Sequence, residues 1–122
     1  MIKIIEFKNI EPLVLIAKKD GLFFNKSTNI YFGYYKDEIL IGFCGLYCTK
    51  KTAILKNDFV LKDYRNKGIY KMLNEFRFNY IIKLGFKNIE GNMTDYSLNF
   101  HLKNGAKIVK KYKCCTKIKY YL

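Results

Sequence analysis

The chain has 122 residues, half of them hydrophobic and 17% aromatic, with a formal net charge of +13. That is the size of one small domain with enough apolar material for a compact core. No apolar run reaches membrane-spanning length, and Lys3, Glu6 and Lys8 interrupt any signal-peptide pattern, so we expect a single soluble cytoplasmic domain over residues 1–122, with no membrane partner.

The elements follow in chain order. Residues 2–7 alternate as a first strand. Asn9 then caps a helix with Pro12 in its first turn, and Leu13, Ile16 and Ala17 line its inner face. Residues 21–29 read as irregular, with Asn25, Ser27, Thr28 and Asn29 as loop residues. Residues 30–35 and 39–47 form a hairpin around Lys36-Asp37-Glu38. Gly42 and Gly45 weaken its second strand locally or let another chain approach closely. Lys50-Lys51 turns the chain into a fourth strand, residues 53–61.

The stretch Val60-Leu61-Lys62-Asp63-Tyr64-Arg65-Asn66-Lys67-Gly68-Ile69-Tyr70 carries the first chemical signal. A strand, a basic turn with one glycine and a helix start make a recipe for holding an anion. The first-turn N–H groups are unsatisfied, and the helix dipole favours negative charge there. Gly68 lets backbone approach a ligand closely, and Arg65 and Lys67 add positive charge. Ile69, Met72, Leu73, Phe76, Tyr80 and Leu84 recur at the spacing of one helical face, Asn74 falls elsewhere, and Gly85 stops the helix. No Walker motif and no GxGxxG are present.

Residues 87–93 read as a fifth strand. Thr94 or Asp95 caps a short helix over residues 96–103, ended by Asn104-Gly105. Residues 106–112 and 116–122 are terminal strands, with Cys114-Cys115 at their join. Cys44 and Cys48 share a face of the third strand. No CxxC pair exists, so we expect free thiols and no metal site. The charge favours an anionic partner, against which stands the simpler reading of lysines spread over solvated faces. No acidic residue follows Asp95, while Lys103, Lys107, Lys110, Lys111, Lys113, Lys117 and Lys119 do, which makes a basic patch.

The turn resembles the acyl-CoA loop of the GNAT superfamily of N-acetyltransferases, which reads Arg or Gln, two residues, Gly, one residue, Gly or Ala. Arg65, Asn66, Lys67, Gly68 and Ile69 fit, and Tyr70 replaces the last small residue, so Tyr70 swings clear or affinity falls. Residues 94–106 resemble the family's second motif: Ser97 takes its small position, His101 the place of a Tyr, Thr94 that of an Asn, and Gly105-Ala106 that of a Gly-Phe pair. The two motifs cover roughly residues 30–122.

The resemblance implies an α/β (α+β) fold. Its sheet has six to seven mostly antiparallel strands, splayed between the fourth and fifth, with flanking helices. It implies acetyl-CoA as co-substrate and an amine acceptor. Pyrophosphate would lie on residues 65–70 (Arg65, Asn66, Lys67, Gly68, Ile69, Tyr70) and pantetheine along the backbone edge of Phe59, Val60 and Leu61. His101 would stand near the sulfur as a proton donor, with Tyr96 and Ser97 as hydrogen-bond partners near the thioester. Asp58, or else Glu90 or a water chain, would deprotonate the amine. The segment that shapes the family's acceptor pocket is short here, leaving the pocket open or completed by a second copy in a homodimer. Few carboxylates are present to attract a cationic acceptor, so the charge favours one that is anionic or nucleic-acid-linked. Two other readings keep the fold: a phage-type nucleic-acid base modifier of the Mom type, and a non-catalytic binding module.

Overall fold

The computed structural model describes residues 1–24, 28 and 30–122, with Tyr96 described by its backbone alone. Of the expected loop positions, Asn25, Ser27 and Asn29 lie outside the described residues. The elements are β1 (Ile2–Ile5), α1 (Phe7–Lys19), β2 (Ile30–Lys36), β3 (Ile39–Cys48), β4 (Thr52–Val60), a 3-10 turn (Lys62–Tyr64), α2 (Ile69–Lys83), β5 (Asn88–Met93), α3 (Asp95–Lys103), β6 (Lys107–Lys111) and β7 (Thr116–Tyr121). The seven strands form one sheet in the order β1-β2-β3-β4-β5-β7-β6. Every pairing is antiparallel except β4 with β5. No helix among the described residues is long and apolar enough to cross a membrane.

α1 starts earlier than its sequence indicates. Glu6 is the N-cap, and Asn9 is the third helical residue, whose Oδ1 accepts the Glu6 N–H at 3.0 Å. Asn9 therefore closes the reciprocal half of a capping box. The buried face is Ile10, Leu13 and Ala17, while Ile16 is exposed. The β2–β3 hairpin turns on Asp37 and Glu38, both with positive φ (51° and 66°), as a two-residue turn matched to strand twist requires. Cys114-Cys115 sit at the β6–β7 turn, where the Tyr112 N–H meets the Cys115 carbonyl at 2.8 Å. All four cysteines are free. Burial pushes the Cys44 thiol up to about 12, which makes it inert.

α2 presents only part of the expected face, in which Ile69 and Leu73 are buried and Tyr80 packs against the core. Ile69, Leu73, Asn74, Arg77 and Ile81 are buried, whereas Met72, Phe76 and Leu84 are exposed. The contact stripe is the i, i+4 row 69-73-77-81, and a charged residue holds its centre. Phe76 and Tyr80 form the neighbouring row and pack edge-on against Phe32, with centroids 5.7 and 5.4 Å away.

Two features of β4 create the site. It pairs with β5 only from Thr52↔Asn88 to Leu55↔Gly91, so the strands diverge beyond that point. It also bulges opposite β3: Phe43 faces Phe59 and Gly45 faces Lys56, with Asn57 at φ 53°. The extra residue resets the alternation. Leu55, Asp58 and Val60 therefore all point toward α2, while Phe59 joins Tyr31, Leu40 and Phe43 under α1.

Candidate active site

The corner after β4 is built by backbone conformation. Asn66 (φ 62°) and Gly68 (φ 81°) are both left-handed, and Gly68 is the N-cap of α2 with no side-chain cap. A Cβ on Gly68 would meet nothing within 4 Å, so the sign of φ, rather than crowding, calls for glycine. Asn66, Gly68, Ile69, Lys71 and Phe100 help line a cavity of about 240 Å³ in front of the uncapped turn. Ile69 buries its side chain in the core and offers the corner only its N–H. The Lys67 ammonium lies over the Tyr64 ring, 5.7 Å from its centroid.

Arg65 is engaged with protein. Its Nη2 meets Asp20 at 2.5 Å, and its Nε donates to the Val60 carbonyl at 2.7 Å. It thus staples the loop to the C-cap of α1 and to β4. This alters the expected pantetheine edge. The Leu61 N–H bonds to Ile41, so Leu61 turns its backbone toward β3. Phe59 pairs with Phe43. Val60 faces the open side, and its carbonyl is taken by Arg65.

Tyr70 turns its side chain inward, between α2 and α3, with its ring 4.9 Å from that of Phe100. Its hydroxyl makes a very short hydrogen bond to Asp58 Oδ2 and lies 2.7 Å from His101 Nε2. Asp58 Oδ1 accepts from Arg77 Nη1 at 2.6 Å. Arg77 also donates to Asn74 at 2.8 Å and to the Gly45 carbonyl at 3.0 Å. His101 Nδ1 lies 2.7 Å from the Tyr120 hydroxyl. Side chains from β4, α2, α3 and β7 thus form one buried polar chain: Arg77, Asp58, Tyr70, His101, Tyr120.

Its protonation follows from counting donors. Burial alone would raise the Asp58 pKa, but the Arg77 charge and hydrogen bonds, with the His101 ring 3.9 Å from Oδ2, hold it well below the usual carboxylate range. Burial alone would likewise lower Arg77, and Asp58 overrides it. Asp58 is then an ionised acceptor, so the single Tyr70 proton points to it. His101 must carry a proton on Nε2 to donate to the Tyr70 oxygen. Nδ1 is held against the Tyr120 hydroxyl, which also reaches the His101 carbonyl at 3.3 Å. Burial, and then the Asp58 charge, push Tyr70 well above its ordinary value. Burial pushes Tyr120 up to about 12.

A second cavity of about 620 Å³ opens where β4 and β5 diverge, lined by Leu55, Lys56, Asp58, Met93, Ser97 and Cys115 among others. Asp58 borders this cavity and Tyr70 borders the first. The Tyr70–Asp58 contact therefore stands between the two like a bar across a throat. Ser97 is at the second cavity, its hydroxyl 3.3 Å from the Met93 sulfur. The Tyr96 side chain lies outside the described residues. Glu90 is on the opposite sheet face, in register with Lys119, away from the buried chain. His101 is fully buried behind Tyr70, and its ring lines neither cavity.

Sequence reading missed Arg77, Asn74 and Tyr120. Arg77 had a signal, since it interrupts the i, i+4 row that begins at Ile69. Tyr120 alternates with the inward residues Thr116 and Ile118.

No protein-family model and no curated protein matches the sequence. Solved structures do match. The PaiA N-acetyltransferase of Thermoplasma acidophilum, in complex with coenzyme A, shares 17% identity at a TM-score of 0.81, over 100% of this chain and 99% of that one. An IAA acetyltransferase of Bacillus cereus shares 18% identity at a TM-score of 0.81, over 100% of this chain and 99% of its own. An acetyltransferase of the GNAT family from Staphylococcus aureus shares 18% at 0.79, over 100% and 99%. At such identities the likeness is one of fold, and the chain has the GNAT acyl-CoA N-acyltransferase fold.

Proposed function

We propose that this GNAT-fold chain moves an acetyl group from acetyl-CoA directly to an amine whose carrier is neutral or anionic. The observation that carries the proposal is a pair of built cavities on either side of the Tyr70–Asp58 contact. An uncapped α2 N-terminus opens on a left-handed Gly68, and an unpaired wedge lies between β4 and β5. The first suits a diphosphate. The second suits an extended chain leading to a reaction chamber. Lys56 and Asp58 are the only charged side chains lining the larger cavity among the described residues, and Asp58 is tied to Arg77. The chamber therefore has no free carboxylate to attract a polyamine.

Acetyl-CoA would supply the activated acyl carbon, with its diphosphate held by the N–H groups after Gly68 and by Lys71. The protein's part is to position groups and to manage protons. Asp58 is so stabilised as an anion that it is a poor base, so the amine proton leaves through water in the open chamber. The Tyr70 hydroxyl is the proton-bearing group at the throat. His101 acts through it, because its Nε2–H fixes the Tyr70 oxygen while Tyr120 fixes the ring. The fit to coenzyme A is good at both ends and needs the Tyr70–Asp58 bar to part between them.

The test is a thermal-shift series with acetyl-CoA. Binding stabilises by about 2.7 kcal/mol at a hundred times Kd, and Gly68→Glu should abolish the increment while the protein still folds. Release of free thiol with nucleotide, aminoacyl and polyamine acceptors then reads the reaction. No shift at any concentration would overturn the proposal in favour of a non-catalytic binding module. The Arg65 staple and the Tyr70 bar are the observations that favour that second reading.

A further inference from the structure

The face of the sheet opposite α2 is covered by α1 only over β2, β3 and β4. Beyond them, β5, β7 and β6 carry an uncovered surface whose composition follows from register. Lys107 pairs with Lys119, and Lys110 with Lys117. Direct partners share a face, so four lysines stand in a two-by-two grid. Like charges placed directly opposite are destabilising. None of the four lies within 4.0 Å of a carboxylate, and Glu90, beside Lys119, is the one acidic side chain in these rows. Lysine on an exposed edge strand commonly discourages another strand from pairing. That accounts for β6 but not for Lys117 and Lys119, because β7 lies between β5 and β6.

Aromatic rings alternate with these lysines. Tyr121 follows Lys119 on the same face, and Tyr112 follows Lys110. The two ammonium groups lie over the two rings, 5.0 and 5.2 Å from their centroids. Both tyrosines are exposed. A sheet face with paired lysines and exposed tyrosines offers single-stranded nucleic acid its two main interactions, charge neutralisation and base stacking.

We infer that the β6–β7 face is a docking surface for a single strand of nucleic acid, with Lys107, Lys110, Lys117 and Lys119 on its phosphates and Tyr112 and Tyr121 stacking on its bases. Lys117 is adjacent in register to Asn92, which lines the larger cavity. A docked strand would thus run past the chamber mouth. Only that last relation rests on the acyl-transfer reading, and the surface itself does not.

The experiment is fluorescence anisotropy of a labelled 20-nucleotide single-stranded DNA with the full chain, without acetyl-CoA, over a salt series. Removing all four lysines (Lys107→Gln, Lys110→Gln, Lys117→Gln, Lys119→Gln) should flatten the slope of log affinity against log salt by about 3, at roughly 0.7 per phosphate contact. The melting temperature should hold or rise, because two repulsive pairs are gone. A control lacking Lys18, Lys19, Lys83 and Lys103 has the same charge and should keep most of the slope. Tyr112→Ala and Tyr121→Ala should each weaken binding about tenfold. Equal loss in the control would overturn the placement and leave a diffuse charge effect. Binding to anionic phosphatidylserine vesicles but not to the oligonucleotide would overturn the partner. Tyrosine variants that bind as the parent does would overturn the stacking. None of these outcomes touches the thermal-shift result with acetyl-CoA, so the two proposals fail separately.

Discussion

Under α1 the sheet presents Tyr31, Leu40, Phe43 and Phe59 to Ile10, Leu13 and Ala17. Under α2 and α3 it presents Asp58 and Tyr120 to Arg77, Tyr70 and His101. The first interface could be written from hydrophobic pattern alone, and volume and shape settle it. The second buries a full ion pair and three titratable rings in the middle of an apolar cluster of Leu55, Val60, Leu73 and Ile81. A fold that needed only stability would gain from apolar replacements there. Two helices of similar length on the two faces of one sheet are thus packed by different rules, and the polar one borders both cavities.

The sharpest way to break this contrast is to leave one charge without its partner. Arg77→Met should cost about 3–5 kcal/mol in chemical denaturation, because Asp58 would stay buried and uncompensated. Adding Asp58→Asn should recover most of that loss. If the double variant is as damaged as the single one, the pair is not the unit that the hydrogen bonds describe. On the apolar face, Ile10→Ala should cost about 2–5 kcal/mol through cavity formation. It should leave the stabilising increment from acetyl-CoA unchanged. A lost increment in Ile10→Ala would mean the two faces are coupled through the sheet, contrary to the division drawn here.

Tyr70→Phe probes the polar face more gently. It removes the donor to Asp58 and the acceptor for His101 Nε2–H, at a cost of about 1–3 kcal/mol. The bar across the throat is weakened at the same time. Acetyl-CoA should then bind more tightly while turnover falls, a split between KM and kcat that loss of packing alone would not give. If both parameters stay unchanged, the hydroxyl has no role in passage or in proton handling.

The succession of strands and helices and the turn at Gly68 were legible because each rests on local pattern: alternation, a glycine after a basic turn, and helical periodicity. The splay between the fourth and fifth strands came from the family resemblance alone. The inner face of α2 was read only in part, with Ile69 and Leu73 found, because the rule looks for apolar residues and Arg77 stands where one belongs. Its partner is Asp58, 19 positions away in the chain, and nothing within a helical window announces that. Ile16 was misplaced for a similar reason, since an apolar residue next to the buried stripe looks like part of it. The orientation of Asp58 depends on the Asn57 bulge, which a single non-glycine residue makes at φ 53°. The capture of Arg65 by Asp20 joins segments 45 positions apart. His101 was found by its place in a motif, but burial behind Tyr70 is a tertiary fact.

The smallest effect per unit change is acid titration, and its sign tests the buried pair directly. The folded-state pKa of Asp58 lies below its unfolded value of about 3.9. At pH 6 both states hold the carboxylate ionised, so the contribution of the pair is fully present. As pH falls below about 4, the unfolded chain takes up the proton first, and stability drops by at most about 1.4 kcal/mol per pH unit for this one group. The loss continues until the folded state also protonates. The Arg77→Met, Asp58→Asn double variant lacks the group and should show a shallower acid limb than the parent. Ile10→Ala, acting on the other face, should shift the whole curve down without changing its slope. Parallel curves for the parent and the double variant would mean that Asp58 is not held ionised by Arg77, and the electrostatic account of the throat would fail with it.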